Sequence, residues 1–457
     1  MPVSLSDLFD KRIRKIGFFG LGSSNVALME YLPLSDVEVV IRSDGRVPRD
    51  KIPRGCKIRN FFEGERARQS IREDVLVFSP SVRRDGAEFL RAGRRGVIFT
   101  SDAEMFFRLV RGKVFAVSGS DGKSSTAQIA AQLLRGREKD ISPIGNFGVP
   151  MLPSLRTGVH LYVTELSSFN LSYLSADVSR AALTNITPNH LNWHSSFEEY
   201  RDTKLSLIKM AREGVVSFDD AEMRREFLGK SIFAAVSDRL DFSDLRRMSN
   251  SEVYITRDGE FIYRNGEKIL EISKIKRSER HNVKNFMTAL ALTDGYIEND
   301  DILRTAESFC GLAHRQNTVA SFQGVDFIDS SIDTTPSRTK TTLDSLGRSV
   351  VVILGGRGKG VGYDALLPSL KKYARCAVAT GEDMEKIAEV LRGEVKCIKE
   401  PDFSTAVRAA ICEAQPSDAV LLSPAATSYD AFSDYTARAE EFRKIVLEYC
   451  KNNKTDV

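Results

Sequence analysis

The sequence predicts an α/β protein whose sheets are mostly parallel. Apolar, strand-like runs alternate with amphipathic, helix-like stretches along the whole chain. Several of those runs end in polar residues or glycine, as strands do where ligands bind at the carboxyl edge of a parallel sheet. At 457 residues the chain is too long for one ordinary core, so two to four domains are expected.

"KIGFFGLGSSNVALMEYL" reads as strand, glycine turn and helix, and "VEVVIRSDGR" as a second strand with a polar end. "VLVFSPSV" and "GVIFTS" continue the pattern to about residue 110. A fresh start at "GKVFAVSGSDGKSS" places a boundary beside Gly112. "YVTELSS" and "RAALTNIT" are further strands with polar ends. Residues 215–280 are mixed, and in "EVYITRDGEFIYRNGEKIL" the DG and NG pairs mark hairpins. "HNVKNFMTALALTDGYI" is a helix. After "GLAHRQNTV", the runs "SVVVILGG", "CAVATG", "EVKCI" and "DAVLLSPAA" form a third α/β unit. The expected domains are 1–111, 112–312 and 313–457.

A hydrophobic fraction of 42% with 28% charged residues is that of a globular protein. No apolar run approaches the roughly 20 residues needed to cross a bilayer. The first residues lack the order of basic, apolar and small positions of a signal peptide. The six cysteines are scattered without a CxxC pair, so they read as reduced thiols of a cytoplasmic protein. The net charge of +4 suits small anionic ligands and is too weak to argue for nucleic acid.

In "FAVSGSDGKSSTAQIAAQLL" an apolar strand runs through Gly119 and Gly122 straight into a helix. Glycines let backbone N–H groups approach phosphate oxygens, and the helix N-terminus adds its positive dipole end. Lys123 would then contact β- and γ-phosphates, and the Ser124 hydroxyl would reach Mg²⁺. The long G-x-x-x-x-G-K-[ST] pattern is not met, because Val117 stands five positions before Gly122. A plain glycine turn with a solvated lysine is the alternative; the flanking strand and helix favour phosphate.

Of five histidines, four sit in polar clusters: His190, His194, His281 and His314. A lone histidine is more often structural than a ligand. "NHLNWH" has no Cys or third His nearby, which speaks against a closed zinc site. Glu165 follows the next strand and suits Mg²⁺ shared with phosphates, where a mere strand-end cap is the alternative.

"SGSDGKSST", "GNFGVP" (145–150), "TELSSFNL" (164–171), "NITPNHLNWH" (185–194) with "YRDTK" (200–204), "RHNVKN" (280–285), "HR" (314–315), "LGGRGKG" (354–360) and "LLSPAATSYD" (421–430) occur in one order. Together they resemble the motif series of the Mur ligase family, nearly end to end. The resemblance implies a Rossmann-like N-terminal domain, a P-loop ATPase central domain with a parallel sheet, and a Rossmann-like C-terminal domain. "GLGSSN", "DGR" (44–46), "ELSSFNL" and "SPAATSYDAFSDYTARAEEF" resemble the branch that adds D-glutamate to UDP-N-acetylmuramoyl-L-alanine. The DNPR signature of the diaminopimelate-adding branch is absent.

That resemblance implies roles residue by residue. ATP would lie on Gly119, Ser120, Asp121, Gly122, Lys123, Ser124 and Ser125, with Asn282, Arg315 and Asp329 also in contact. Two Mg²⁺ ions would be held, one by Ser124 and Glu165, the other by His190 and a Lys204 carbamylated by CO₂. A carbamate offers oxygen anions where an ammonium cannot bind a cation. Ser24, Asp44 and Arg46 would take the UDP end, and Asn146, Ser167, Ser168 and His194 the acyl side. Lys359, Ser428 and Tyr435 would take D-glutamate. ATP would convert the carboxylate to an acyl phosphate for the amine to attack, with domain closure excluding water. A monomer without nucleic-acid or membrane partners is expected.

"DSSIDT" (329–334) stands where the family usually has N-D-S-K-A-T, so Ile332 removes a cation from the acceptor region and Ser330 replaces a carboxylate. Asn189, Glu279, Asn317 and Arg357 are further departures. Two other readings stay open: a family member with another acceptor or donor, and a nucleotide-binding member without ligase activity. Retention of Lys123, Glu165, His190 and Lys204 speaks against the second.

Overall fold

A computed structural model describes residues 4–47, 49–146, 149–191, 193–311, 314–358 and 362–453. The chain divides into two units, Met1–Cys310 and Gly311–Val457.

The first unit opens with β1 (Lys15–Phe19), β2 (Glu38–Ser43), β3 (Ile58–Glu63), β4 (Val75–Phe78) and β5 (Ile98–Thr100). They form one parallel sheet in the order β3-β2-β1-β4-β5. Strands β1 and β4, "KIGFF" and "VLVF", are almost wholly buried, the apolar runs of a sheet covered on both faces. Chain order reverses between them, and ligand crevices open at the carboxyl ends of such a pair. Glycine is favoured there: Gly20 takes a left-handed backbone (φ +78°), and a Cβ on it would lie 3.0 Å from the Cβ of Ser79.

A nine-stranded sheet follows: β6 (Gly112–Ser118), β7 (Pro143–Gly145), β8 (His160–Glu165), β9 (Val178–Leu183), β10 (Ala211–Ser217), β11 (Ser231–Ser237), β12 (Asn250–Asp258), β13 (Phe261–Arg264) and β14 (Glu267–Glu271). Its order is β14-β13-β12-β11-β10-β9-β6-β8-β7, parallel from β7 to β12 and antiparallel in the two hairpins β12–β13 and β13–β14. The DG and NG pairs sit at those hairpins, with Gly259, Asn265 and Gly266 all at positive φ. Helices Lys123–Leu133 and Arg280–Thr293 pack on one face through Ile129, Leu133, Phe286 and Leu290. Helix Phe197–Met210 packs on the other through Tyr200, Leu205 and Ile208. Each such fully buried large apolar side chain contributes roughly 1.5–3 kcal/mol.

The second unit holds β15 (Asn317–Phe322), β16 (Val325–Asp329), β17 (Val350–Gly355), β18 (Ala374–Thr380), β19 (Cys397–Lys399) and β20 (Ala419–Leu422), in the order β15-β16-β20-β17-β18-β19. Only β15 runs antiparallel to its neighbour. Among the described residues, no helix is long and apolar enough to cross a membrane.

Candidate active site

The glycine loop joins β6 directly to the helix Lys123–Leu133. A Cβ at Gly119 (φ +144°) would lie 1.9 Å from Thr184 Oγ1, and one at Gly122 (φ +79°) 2.3 Å from Asn285 Oδ1. Glycine is therefore obligatory at both, as a backbone that must hug its surroundings requires. Lys123 curls back over the loop, its Nζ donating to the carbonyls of Gly119 (2.9 Å) and Ser120 (2.7 Å). Ser120 Oγ donates to Thr187 O, accepts from Thr187 N (both 2.9 Å) and hydrogen-bonds the Tyr200 hydroxyl at 2.8 Å. Asp121 N donates to Asn185 Oδ1 at 2.9 Å. Ser124 is half-buried and Ser125 buried in the first helical turn.

Lys204 lies one helical turn after Tyr200, with its Nζ 5.2 Å from the Tyr200 ring centroid. The residue is only 2% exposed, and its Nζ donates to Ser118 Oγ at 3.2 Å. Burial, with the positive charge of Lys123 second, pulls its ammonium well below the ordinary lysine range; Glu165 and Asp121 oppose this. Lys204, Lys123, Glu165 and Asp121 are thus electrostatic neighbours. Glu165, the last residue of β8, is 1% exposed. Its Oε1 accepts from Asn146 Nδ2 at 2.8 Å, while its buried Oε2 has no hydrogen-bond partner among the described residues.

His190 is exposed, in the loop after β9, and takes a left-handed backbone, φ +54°. Its ring packs on Phe169 with centroids 4.8 Å apart, and its backbone N–H donates to Asn189 Oδ1 at 2.9 Å. His194, expected to line the acyl side, is instead 1% exposed. Rings of Trp193, Tyr200 and Phe169 wall it in at 4.7, 5.2 and 6.2 Å, and its Nδ1 is 3.5 Å from Glu199 Oε1. Burial among these rings lowers its pKa.

Of the other expected acyl-side residues, Asn146 bonds Glu165, Ser168 is buried, and Ser167 caps the short helix Ser168–Leu171 in a reciprocal box with Asn170. Ser24 lies half-buried in the first turn of helix Ser23–Tyr31, whose N-terminus carries no side-chain cap. Asp44 and Arg46 are exposed after β2. Both Asp44 oxygens accept from Arg68 at 2.8 and 2.7 Å, a partner 24 residues away that the sequence did not reveal. Asn282 Nδ2 donates to Glu279 Oε2 at 2.9 Å. Glu279, where the family usually has Gly, precedes the helix with φ −58°, which any residue adopts.

In the second unit, the His314 Nδ1 and Asp329 Oδ2 atoms are 2.7 Å apart, and Asp329 Oδ1 accepts from Ser331 N at 2.9 Å. Arg315 is half-buried beside them in sequence. Ser330, the departure from Asp, donates from Oγ to the buried Asp333 at 2.7 Å. Arg357 pairs with Glu382 at 2.7 Å. Ser428 is buried, whereas Tyr435 opens the helix Tyr435–Asn452 and is 36% exposed. Lys359 lies outside the described residues. Arg438, a residue the sequence reading passed over, donates from its buried guanidinium to Ser331 Oγ, Ser331 O and Ala426 O at 3.0, 3.0 and 3.2 Å.

Among the described residues no three His, Cys, Asp or Glu side chains form a cage that would hold a metal alone. The donors that are present fit Mg²⁺ shared with phosphate oxygens. Glu165 presents an orphaned carboxylate oxygen, and Ser124 stands in the first turn of the helix that follows the glycine loop.

The family model for the Mur ligase middle domain matches residues 117–293, and that for the Mur ligase glutamate ligase domain matches 314–426. A relative from Ruminiclostridium cellulolyticum, UDP-N-acetylmuramoylalanine--D-glutamate ligase, is 31% identical over 96% of this chain and 97% of its own. The protein of that name from Acetivibrio thermocellus is 32% identical over 98% and 99%. Among solved structures, UDP-N-acetylmuramate-alanine ligase of Thermotoga maritima aligns with a TM-score of 0.61 at 19% identity, covering 97% of this chain and all of its own. MurF ligase of the same organism, in complex with ADP, aligns at 0.52 and 15%, covering 97% of each. These two likenesses speak to the fold, and the sequence matches to descent: the chain belongs to the Mur ligase family.

Proposed function

We propose that the chain is an ATP-dependent ligase that joins D-glutamate to UDP-N-acetylmuramoyl-L-alanine in peptidoglycan precursor synthesis. The carrying observation is the buried Lys204 amine, which donates to Ser118 Oγ at the end of β6, next to the glycine loop, and feels the charges of Lys123, Glu165 and Asp121. The names of the full-length relatives supply the substrate pair.

A carboxylate is a poor electrophile, so ATP must first phosphorylate it. Gly119 to Ser125 would cradle the triphosphate, and Lys123 would offset charge on the transferring γ-phosphoryl group. The carboxylate oxygen attacks γ-phosphorus, ADP leaves, and the acyl phosphate forms. The amine of D-glutamate then attacks the acyl carbon, phosphate leaves and one proton is lost.

The pKa of Lys204 matters because only a neutral amine attacks CO₂. The N–C bond forms, one amine proton departs, and a carbamate replaces the neutral amine. Ser124 and Glu165 would hold one Mg²⁺, and His190 with this carbamate a second; when bound, the two ions would neutralise charge at the phosphate oxygens. Ser24, Asp44 and Arg46 would receive the UDP end, and Lys359, Ser428 and Tyr435 the acceptor's carboxylates. Asn282, Arg315 and Asp329 complete the ATP assignments. We read the chain as a cytoplasmic monomer with domains 1–111, 112–312 and 313–457.

The test is phosphate release from ATP with UDP-N-acetylmuramoyl-L-alanine and a panel of amino acids. Release with D-glutamate alone supports the reading. Release with another amino acid only, or with none, overturns it.

A further inference from the structure

We propose that Trp193, clamped by Ser81 and Arg83, positions His190, so that the N-terminal sheet completes the histidine side of the metal–phosphate site. This rests on the reading above. Ser81 and Arg83 belong to the loop after β4, at the carboxyl end of the sheet where the chain order reverses. Trp193 Nε1 donates to Ser81 O at 2.8 Å, and the Arg83 guanidinium donates to Trp193 O while lying 4.8 Å from the indole centroid. Both faces of the tryptophan residue, backbone and ring, are therefore held from the neighbouring sheet.

Trp193 in turn holds His190. The N–H groups of Trp193 and His194 both donate to His190 O, at 2.9 and 3.0 Å. Phe169 packs against the His190 ring at 4.8 Å and against the indole at 4.7 Å. His190 keeps a left-handed backbone that residues other than glycine rarely adopt. Such a conformation persists where its surroundings over-determine it, and here those surroundings include another sheet. Arg83 and Trp193 are positioning residues: they act on the metal through the place they give His190.

The experiment counts free Mn²⁺ by electron paramagnetic resonance in the presence of a non-hydrolysable ATP analogue. It compares the full-length protein with Arg83→Ala, Trp193→Phe, His190→Ala and the Arg83→Ala/His190→Ala double variant. Arg83→Ala and Trp193→Phe should each weaken Mn²⁺ binding about 5- to 10-fold while analogue affinity stays within about twofold. In the His190→Ala background, Arg83→Ala should add less than about twofold. Trp193 is the chain's single tryptophan, so its emission should also shift when UDP is added. Unchanged Mn²⁺ affinity in Arg83→Ala and Trp193→Phe, with a loss in His190→Ala, overturns this proposal alone. No loss in His190→Ala overturns both the proposal and the metal assignment beneath it. Trp193→Phe keeps an aromatic ring and carries the test should Arg83→Ala lose its fold.

Discussion

The amine of Lys204 donates to Ser118 Oγ at 3.2 Å, and Ser118 Oγ donates onward to Leu166 O at 2.7 Å. A helix, the last residue of β6 and the segment after β8 are thereby joined at one buried point. Among the described residues, an ammonium there would have no carboxylate at hydrogen-bond distance. As a neutral amine it needs none, and the proposed carbamate would make it a ligand.

Lys204→Ala should lower ligation by at least about 100-fold, the scale of removing a preorganised electrostatic group. Acetate or formate in the assay should restore part of the rate by standing in for the carbamate. Steady-state phosphate release measures both. Full activity without any added carboxylate would remove Lys204 from the chemistry.

The same residue gives stability a pH dependence. Its folded pKa lies below the unfolded 10.5, so between the two values the unfolded chain binds more protons and stability rises with pH. Below the folded value the full penalty of a buried charge is present. In CO₂-free, nucleotide-free buffer, Lys204→Met should melt on the order of 2–4 °C above the parent at pH 7. The gap should narrow as pH climbs towards 10.5. Thermal scans at pH 7 and 9.5 with an equal gap would contradict the assignment.

Much of the scaffold could be read in advance because its determinants are local. Glycines at Gly119 and Gly122, the apolar run before them and the DG and NG pairs each act within a few residues. Lys204 was also within reach: Tyr200, Lys204, Leu207 and Ile208 form one buried helical stripe, a pattern at odds with a surface lysine. The burial of His194 is not legible locally, because Phe169 and Tyr200 reach it from other elements. The contacts Tyr200–Ser120, Asp44–Arg68 and Asn285–Gly122 join positions 80, 24 and more than 150 residues apart, and no local pattern encodes them.

Tyr200 holds the glycine loop through a hydroxyl whose pKa burial pushes up to about 12, so it stays protonated and able to donate to Ser120. Tyr200→Phe removes one hydrogen bond worth about 1 kcal/mol. The KM for ATP should rise about 5-fold, with little change in melting temperature. An unchanged KM would mean that Ser120 is held well enough by Thr187.

Glu165→Gln keeps the shape and the contact with Asn146 but removes the charge. Turnover should fall about 100-fold or more, and the Mg²⁺ concentration for half-maximal rate should rise. Circular dichroism should match the parent. Retained Mg²⁺-dependent activity would move the cation elsewhere.

Carboxylate activation by ATP is the step on which all of these roles depend. UDP-N-acetylmuramoyl-L-alanine carrying ¹⁸O in its terminal carboxylate, turned over with ATP and D-glutamate, reports it through mass analysis of the released phosphate. One ¹⁸O atom should pass into phosphate for each amide bond formed from doubly labelled carboxylate. Phosphate free of the label would contradict the acyl-phosphate route and, with it, the roles assigned to Lys123, Glu165 and Lys204.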